Sequence, residues 1–170
     1  MDFRTLEANE IEAKVKKVTD KGAVILLYKT ARTDMDLLDE TVGAENWWCD
    51  YKEIKGNLFC GITIQTPNGA VTKWDCGIES REDGEGNEKK GEASDAFKRA
   101  GFRWGIGREL YTAPLIFIPA EKMNISTTNG KSKTFDTFSV EKILYENKKI
   151  SAISIINQKT GKRCFVWQKK

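Results

Sequence analysis

The stretch WWCDYKEIKGNLFCGITIQTPNGAVTKWDCGI, residues 47–78, decides the fold class. Trp47–Ile54, Leu58–Gln65 and Ala70–Ile78 are three runs rich in aromatic and β-branched residues. Gly56-Asn57 and Pro67-Asn68-Gly69 separate them, and each separator is a tight-turn signal. Strands joined by turns this short pair antiparallel, so a three-stranded meander is predicted. In the middle run Cys60, Ile62 and Ile64 alternate with Phe59, Gly61, Thr63 and Gln65. One face of the sheet is therefore buried.

The chain on either side completes an α+β reading. Residues 80–91 (SREDGEGNEKKG) are charged and glycine-rich and read as a flexible loop. From Glu92 to Trp104 the residues Ala93, Ala96, Phe97, Ala100 and Trp104 recur at helical spacing, and Gly105 and Gly107 end the pattern. A β-β-β-α core follows: a meander covered by one helix. Upstream, Leu6, Ile11, Val15 and Val18 predict an amphipathic N-terminal helix over residues 5–18. Ala23–Tyr28 is a buried strand after the Lys21-Gly22 turn. Met35, Leu38 and Val42, closed by Gly43, predict a helix over about 33–42. Downstream, Leu115–Pro119 is a short strand and 124–133 a polar loop. Residues 138–145, 150–156 and 163–167 are strands, the last two joined through Thr160-Gly161 as a C-terminal β-hairpin. The expected organisation is a core over residues 1–120 and a hairpin extension over 121–170 packed on the same domain.

Composition removes several classes of chemistry. With 170 residues and 39% hydrophobic content the chain can bury a core and is not of disordered type. It contains no histidine, so histidine-dependent nucleophiles, general bases and HExxH zinc sites are excluded. Cys49, Cys60, Cys76 and Cys164 form no CxxC pair and no metal-like spacing. No GxxxxGK[ST] phosphate loop is present, so no nucleotide cofactor is expected. The opening MDFRTLEANE is too polar for a signal peptide, and no apolar run approaches the ~20 residues of a membrane helix. A cytoplasmic protein with reduced thiols and no membrane association is expected.

The charge is informative through its placement. Twenty-eight Lys and Arg against 25 Asp and Glu leave only +3, so a nucleic-acid partner requires the cations to cluster. They do so near Lys14, at the C-terminus and around the helix from Glu92, although any one cluster can be a solvated face. On that helix Asp95, Arg99 and Arg103 lie four apart on one flank. Lys98 stands beside them, and Lys89 and Lys90 precede them. A cationic ridge on an element whose other face is pinned to a core is a support for phosphates. Trp104 lies on the apolar stripe and reads as packing. Phe102 lies off it and is open to stacking on a base, a partner subunit or a neighbouring strand.

The run from Lys89 through Ala93 and Phe97 to Lys98-Arg99-Ala100, followed by Trp104-Gly105-Ile106-Gly107, resembles the signature helix of the Rad-fifty-two-type single-strand annealing proteins. The continuation Arg108-Glu109-Leu110-Tyr111 is most similar to the phage-encoded branch. The resemblance spans roughly residues 23–120. It implies ATP-independent binding of single-stranded DNA and annealing of complementary strands in recombination and repair, by a homo-oligomeric ring. It also implies a single-strand-binding protein as a partner, and the bacterial host cytoplasm if the protein is phage-encoded. Lys98 and Arg99 would match a basic pair on the DNA backbone. Lys89 and Lys90 would match basic positions at the helix start, and Arg32 would match a further DNA-contacting arginine. Phe102 departs from the pattern, which has an arginine there; Arg103 is adjacent.

Two other readings compete. Glu53-Ile54-Lys55 has the ExK spacing of one nuclease class. Asp36, Asp39 or Asp50 would then be the upstream ligand for a divalent cation. Alternatively, Lys98 and Arg99 bind an acidic protein partner and the module catalyses nothing.

Overall fold

The computed structural model describes residues 1–78 and 88–170, and the chain divides into two units. In chain order the elements are β1 (Glu12–Thr19), β2 (Gly22–Tyr28), α1 (Ala31–Val42), β3 (Trp47–Ile54), β4 (Asn57–Thr66), β5 (Gly69–Cys76) and α2 (Glu88–Trp104). Then come β6 (Ile116–Pro119), β7 (Ser126–Thr128), β8 (Lys131–Lys133), β9 (Phe138–Glu146), β10 (Lys149–Asn157) and β11 (Lys162–Gln168). The class is α+β, built mostly of antiparallel strands, with the β-meander packed against a helix as the sequence implies.

The first unit comprises Met1–Arg4 and Thr30–Gly107. Its sheet has the order β3-β4-β5. The β3–β4 register closes at Ile54 opposite Asn57, which leaves Lys55 and Gly56 as a two-residue loop. Both have positive φ, 53° and 75°, the backbone of the turn that matches strand twist. The residue alternation then fixes two faces. Trp47, Cys49 and Tyr51 of β3, Cys60, Ile62 and Ile64 of β4, and Val71, Lys73 and Asp75 of β5 share one of them. On it Cys60, Ile62 and Ile64 are fully buried, as are Ala96, Phe97 and Ala100 of α2. Each large side chain removed from water in this way contributes about 2 kcal/mol.

α1 starts earlier than its apolar spacing suggests because Thr30 caps it: the Thr33 N–H donates to Thr30 Oγ1 at 3.2 Å. Leu37 and Leu38 are its buried face. It meets α2 at a glycine. A Cβ at Gly101 would lie 2.4 Å from Oδ2 of the fully buried Asp34, so only glycine permits this approach. The loop read at 80–91 falls largely outside the described residues. From Glu88 the backbone is already helical.

The second unit comprises Thr5–Lys29 and Arg108–Lys170. Its antiparallel sheet has the order β11-β10-β9-β1-β2-β6, and the end strands β6 and β11 approach each other, so the sheet curls towards closure. Leu6, Ile25, Ile116, Ile118, Ile153 and Ile155 fill its core.

Here the N-terminal helix expected over 5–18 is corrected. Residues 8–10 form a single 3-10 turn and 12–19 form β1, paired with β2. A bulge explains the misleading spacing. Val15 pairs with Ile25 and Lys17 with Val24, which leaves Lys16 as an extra residue. The inserted residue inverts the alternation, so Val15 and Val18 share a face of the strand and their interval mimics a helix. The polar stretch 124–133 also differs from expectation. It holds the small hairpin β7–β8, turned by Asn129 and Gly130 at φ 51° and 72°. Among the described residues no helix is long and apolar enough to cross a membrane. Cys49, Cys60, Cys76 and Cys164 are free thiols.

Candidate nucleic-acid interface

Every residue singled out for binding lies in the first unit, and five of the six lie on α2. At about 100° per residue, the buried Ala96, Phe97 and Ala100 define the inner face. Lys98 and Arg99 emerge on the two flanks of the outer face, with Phe102 one turn on between them. Arg99 and Arg103 are exposed, whereas Lys98 and Phe102 are half-buried. Lys89 and Lys90 are exposed in the first turn. At about 1.5 Å per residue they stand roughly 13 Å along the axis from Lys98 and Arg99, too far for the two pairs to hold a single phosphate. Arg32, exposed in the first turn of α1, is not brought onto this ridge. It lies about 200° round α1 from Asp34, the residue that faces α2.

Two acidic residues of α2 bond to the backbone of the sheet strands. Glu92 Oε1 accepts the Leu58 N–H at 3.1 Å, and Asp95 Oδ2 accepts the Ile78 N–H at 3.0 Å. The two carboxylates thereby satisfy backbone donors at the start of β4 and two residues past the end of β5. Glu92 and Asp95 are thereby engaged by backbone donors, while Lys89, Lys90, Arg99 and Arg103 are exposed.

Asp75 on β5 organises the outer flank and was not legible as a site residue. Its Oδ1 accepts from Arg99 Nε at 3.4 Å and its Oδ2 from Arg103 Nε at 2.9 Å. Oδ1 also accepts the Cys76 N–H at 2.9 Å. Burial opposes ionisation of this carboxyl. The Arg103 and Cys76 hydrogen bonds and the charges of both arginines outweigh that opposition, and it titrates below the ordinary carboxylate value. Each guanidinium is thus positioned through its inner nitrogen, at the expense of one unit of charge: two arginines and one aspartate leave the trio at +1.

Lys73, also on β5, adds a cation at the helix end. Its Nζ donates to the Arg103 carbonyl at 3.2 Å and sits 4.2 Å from the Trp104 ring centroid. Trp104 itself packs, and its Nε1 donates to the Ile62 carbonyl at 2.9 Å. Trp47 meets Phe97 at 6.0 Å between centroids, and its Nε1 donates to Asp39 Oδ1 at 2.7 Å. That contact occupies one of the aspartates considered as a nuclease ligand. Glu53 is exposed at the end of β3, and Lys55 is in the turn. Among the described residues no three His, Cys, Asp or Glu side chains are placed to hold a metal ion.

No family model, no curated protein and no solved structure matches this chain.

Proposed function

We propose that this chain binds single-stranded DNA through α2 and promotes annealing of complementary strands without nucleotide hydrolysis, as a member of the Rad-fifty-two-type annealing proteins. The carrying observation is the division of charge on α2. The carboxylates of Glu92 and Asp95 are engaged by backbone N–H groups, while Lys98 stands on the outer face and the exposed Arg99 and Arg103 are held over β5 by the single carboxylate of Asp75, on a helix whose apolar stripe is buried. Rigidly held cations hold phosphates without reading sequence, and they leave base edges open to a complement. Lys89 and Lys90 extend the track, and Arg32 serves a strand that continues over α1. Duplex formation supplies the free energy, so no cofactor is needed. A ring of subunits would join these short tracks into a continuous one and reconcile a net charge of only +3 with DNA binding. On this reading the protein acts in recombination and repair in the cytoplasm, beside a single-strand-binding protein.

The test is a titration of labelled single-stranded DNA against the wild type and Lys98→Ala/Arg99→Ala across a salt series. Loss of two phosphate contacts is expected to make the slope of log K against log salt shallower by about 1.4, at about 0.7 per contact for single strands. Unchanged affinity at low salt in the double variant refutes the phosphate-holding role. DNA fragments released in Mg²⁺ by the wild type but not by Glu53→Gln would replace this reading with the nuclease one.

A further inference from the structure

Within the first unit both helices lie on one side of the sheet, and alternation sends a second set of side chains to the other. Trp48 and Lys52 of β3, Phe59 and Gly61 of β4, and Thr72 and Trp74 of β5 share that second face. Gly61 is paired directly with Trp74. A Cβ built on Gly61 would lie 2.5 Å, 2.6 Å and 2.6 Å from Cε2, Cδ2 and Cζ2 of the indole. Three ring atoms that include the fused bond can be equidistant from one point only if the ring lies face-on to it. The indole is therefore laid flat across the glycine. Its second flat face points away from the sheet, and Lys52 Nζ sits over the ring at 4.6 Å from the centroid. Trp48, on the far strand and one two-residue step along, is 44% exposed.

We infer that this face stacks unpaired nucleobases, with Trp74 as the platform, Trp48 as a second ring and Lys52 as the phosphate partner of the stacked nucleotide. The inference rests on the single-strand-binding reading above. A planar, face-on aromatic beside a cation on a flexible stem matches the two ends of a nucleotide: a flat base and an anionic phosphate. A base at stacking distance takes the ammonium's place over the ring, and the ammonium can then reach the phosphate. Across two strand spacings of about 4.8 Å and one step of about 6.8 Å, the two tryptophan backbones stand about 12 Å apart. That exceeds the ~3.4 Å rise of a stacked strand, so the rings serve different bases. Asp50, also on this face, offsets the charge of Lys52, so most of the affinity here comes from stacking and Lys52 adds at most one phosphate contact to the salt slope. Stacking engages the flat of a base and leaves its pairing edge open, which is compatible with annealing.

The experiment uses the full chain with two probes of equal length, a deoxythymidine oligomer and the same sugar–phosphate strand lacking bases. Trp74→Ala is expected to weaken the thymidine strand between about 5-fold and about 150-fold, the range of stacking on one base. It should leave the abasic strand unchanged and make the salt slope for the thymidine strand shallower by no more than about 0.7, the one Lys52 contact, and Trp74→Phe should retain most of the affinity. Trp48→Ala, at an exposed ring, is expected to act in the same sense even if Trp74→Ala proves unstable. Equal binding of both probes by the wild type and both alanine variants overturns the stacking role but not strand binding. Failure of the wild type to bind either probe overturns both. A particle mass that falls in the alanine variants, with affinity for both probes intact, assigns the face to a second copy of the chain and overturns the inference.

Discussion

Replacing Asp75 with Asn separates the structural part of the arginine cluster from its electrostatic part. Asn has nearly the same shape and keeps one acceptor oxygen, which can still take the Cys76 N–H. It then presents an amide N–H to an arginine that needs an acceptor. The two ion pairs involve arginine side chains 44% and 59% exposed, so screening limits each to about 0.5 kcal/mol. The mismatched donor on a carboxylate side chain only 12% exposed adds about 1 kcal/mol. The expected loss is about 1–2 kcal/mol, read as a urea midpoint lowered by roughly 0.5–1 M at unchanged m. Charge moves the opposite way: the trio goes from +1 to +2. Single-strand binding should therefore become more salt-dependent, its log–log slope steeper by about 0.7. The acid limb gives an independent check. Because the folded carboxyl titrates below its ordinary value of 3.8, its stabilisation is complete above that value and is lost as pH falls through the lower folded value. Asp75→Asn should be less stable than the wild type at neutral pH and converge on it in acid. A destabilised variant with an unchanged salt slope would refute the placement of Arg99 and Arg103 against the nucleic acid.

Two further outcomes follow from the packing. Gly101→Ala gains about 1 kcal/mol of helix propensity but drives a methyl to 2.4 Å from buried Asp34 Oδ2, where overpacking costs about 1–3 kcal/mol, so a net loss is expected in chemical denaturation. The Cys60 hydrogen bond lowers the half-buried Cys49 thiol to about 7 against desolvation and Asp50, whereas burial raises Cys164. Peptide mapping after brief alkylation should show Cys49 modified ahead of Cys164, with a rate that rises through about pH 7; preferential labelling of Cys164 would contradict this packing.

The meander was legible because two local signals agreed, short turns and a period-two burial pattern in Phe59–Gln65. The stripe from Ala93 to Trp104 was legible for the same reason at helical period. The N-terminal strand was not, because a bulge at Lys16 changes the phase of alternation and nothing in the local sequence marks it. The Asn129-Gly130 hairpin was masked by the polarity of its flanks, although the dipeptide itself is a turn signal. In the candidate site, Lys98, Arg99 and Arg103 could be placed on a helix flank from spacing alone. Asp75 could not be joined to them, because the link runs between a strand and a helix and depends on which face of β5 the residue occupies. The seat of Trp74 on Gly61 depends in turn on the β4–β5 register, which turn signals bracket but do not fix to the residue.

On the proposed single-strand-binding function, the two faces of this sheet together make a requirement of the ligand. Lys73 and Asp75 point from β5 towards α2, while Thr72 and Trp74 point from the same strand to the other side, and β5 is an edge strand of the sheet. Phosphates held on the Arg99–Arg103 flank and bases stacked on Trp74 can belong to one nucleic acid only if it turns around that edge. A single strand bends freely and offers unpaired flat faces. A duplex has a persistence length of about 50 nm and keeps its bases stacked on one another. It can therefore use the cations but not the indole. The duplex product is expected to bind at least about 5-fold more weakly than its component strand at the same salt, the lower bound for losing one stacked base. The preference should shrink in Trp74→Ala and disappear in Trp48→Ala/Trp74→Ala, while the contacts of the α2 cations keep both ligands salt-dependent. Competition between labelled single strand and unlabelled duplex of equal length measures it. Equal competition by the duplex in the wild type would mean that the phosphates alone decide binding, and product release would need another explanation.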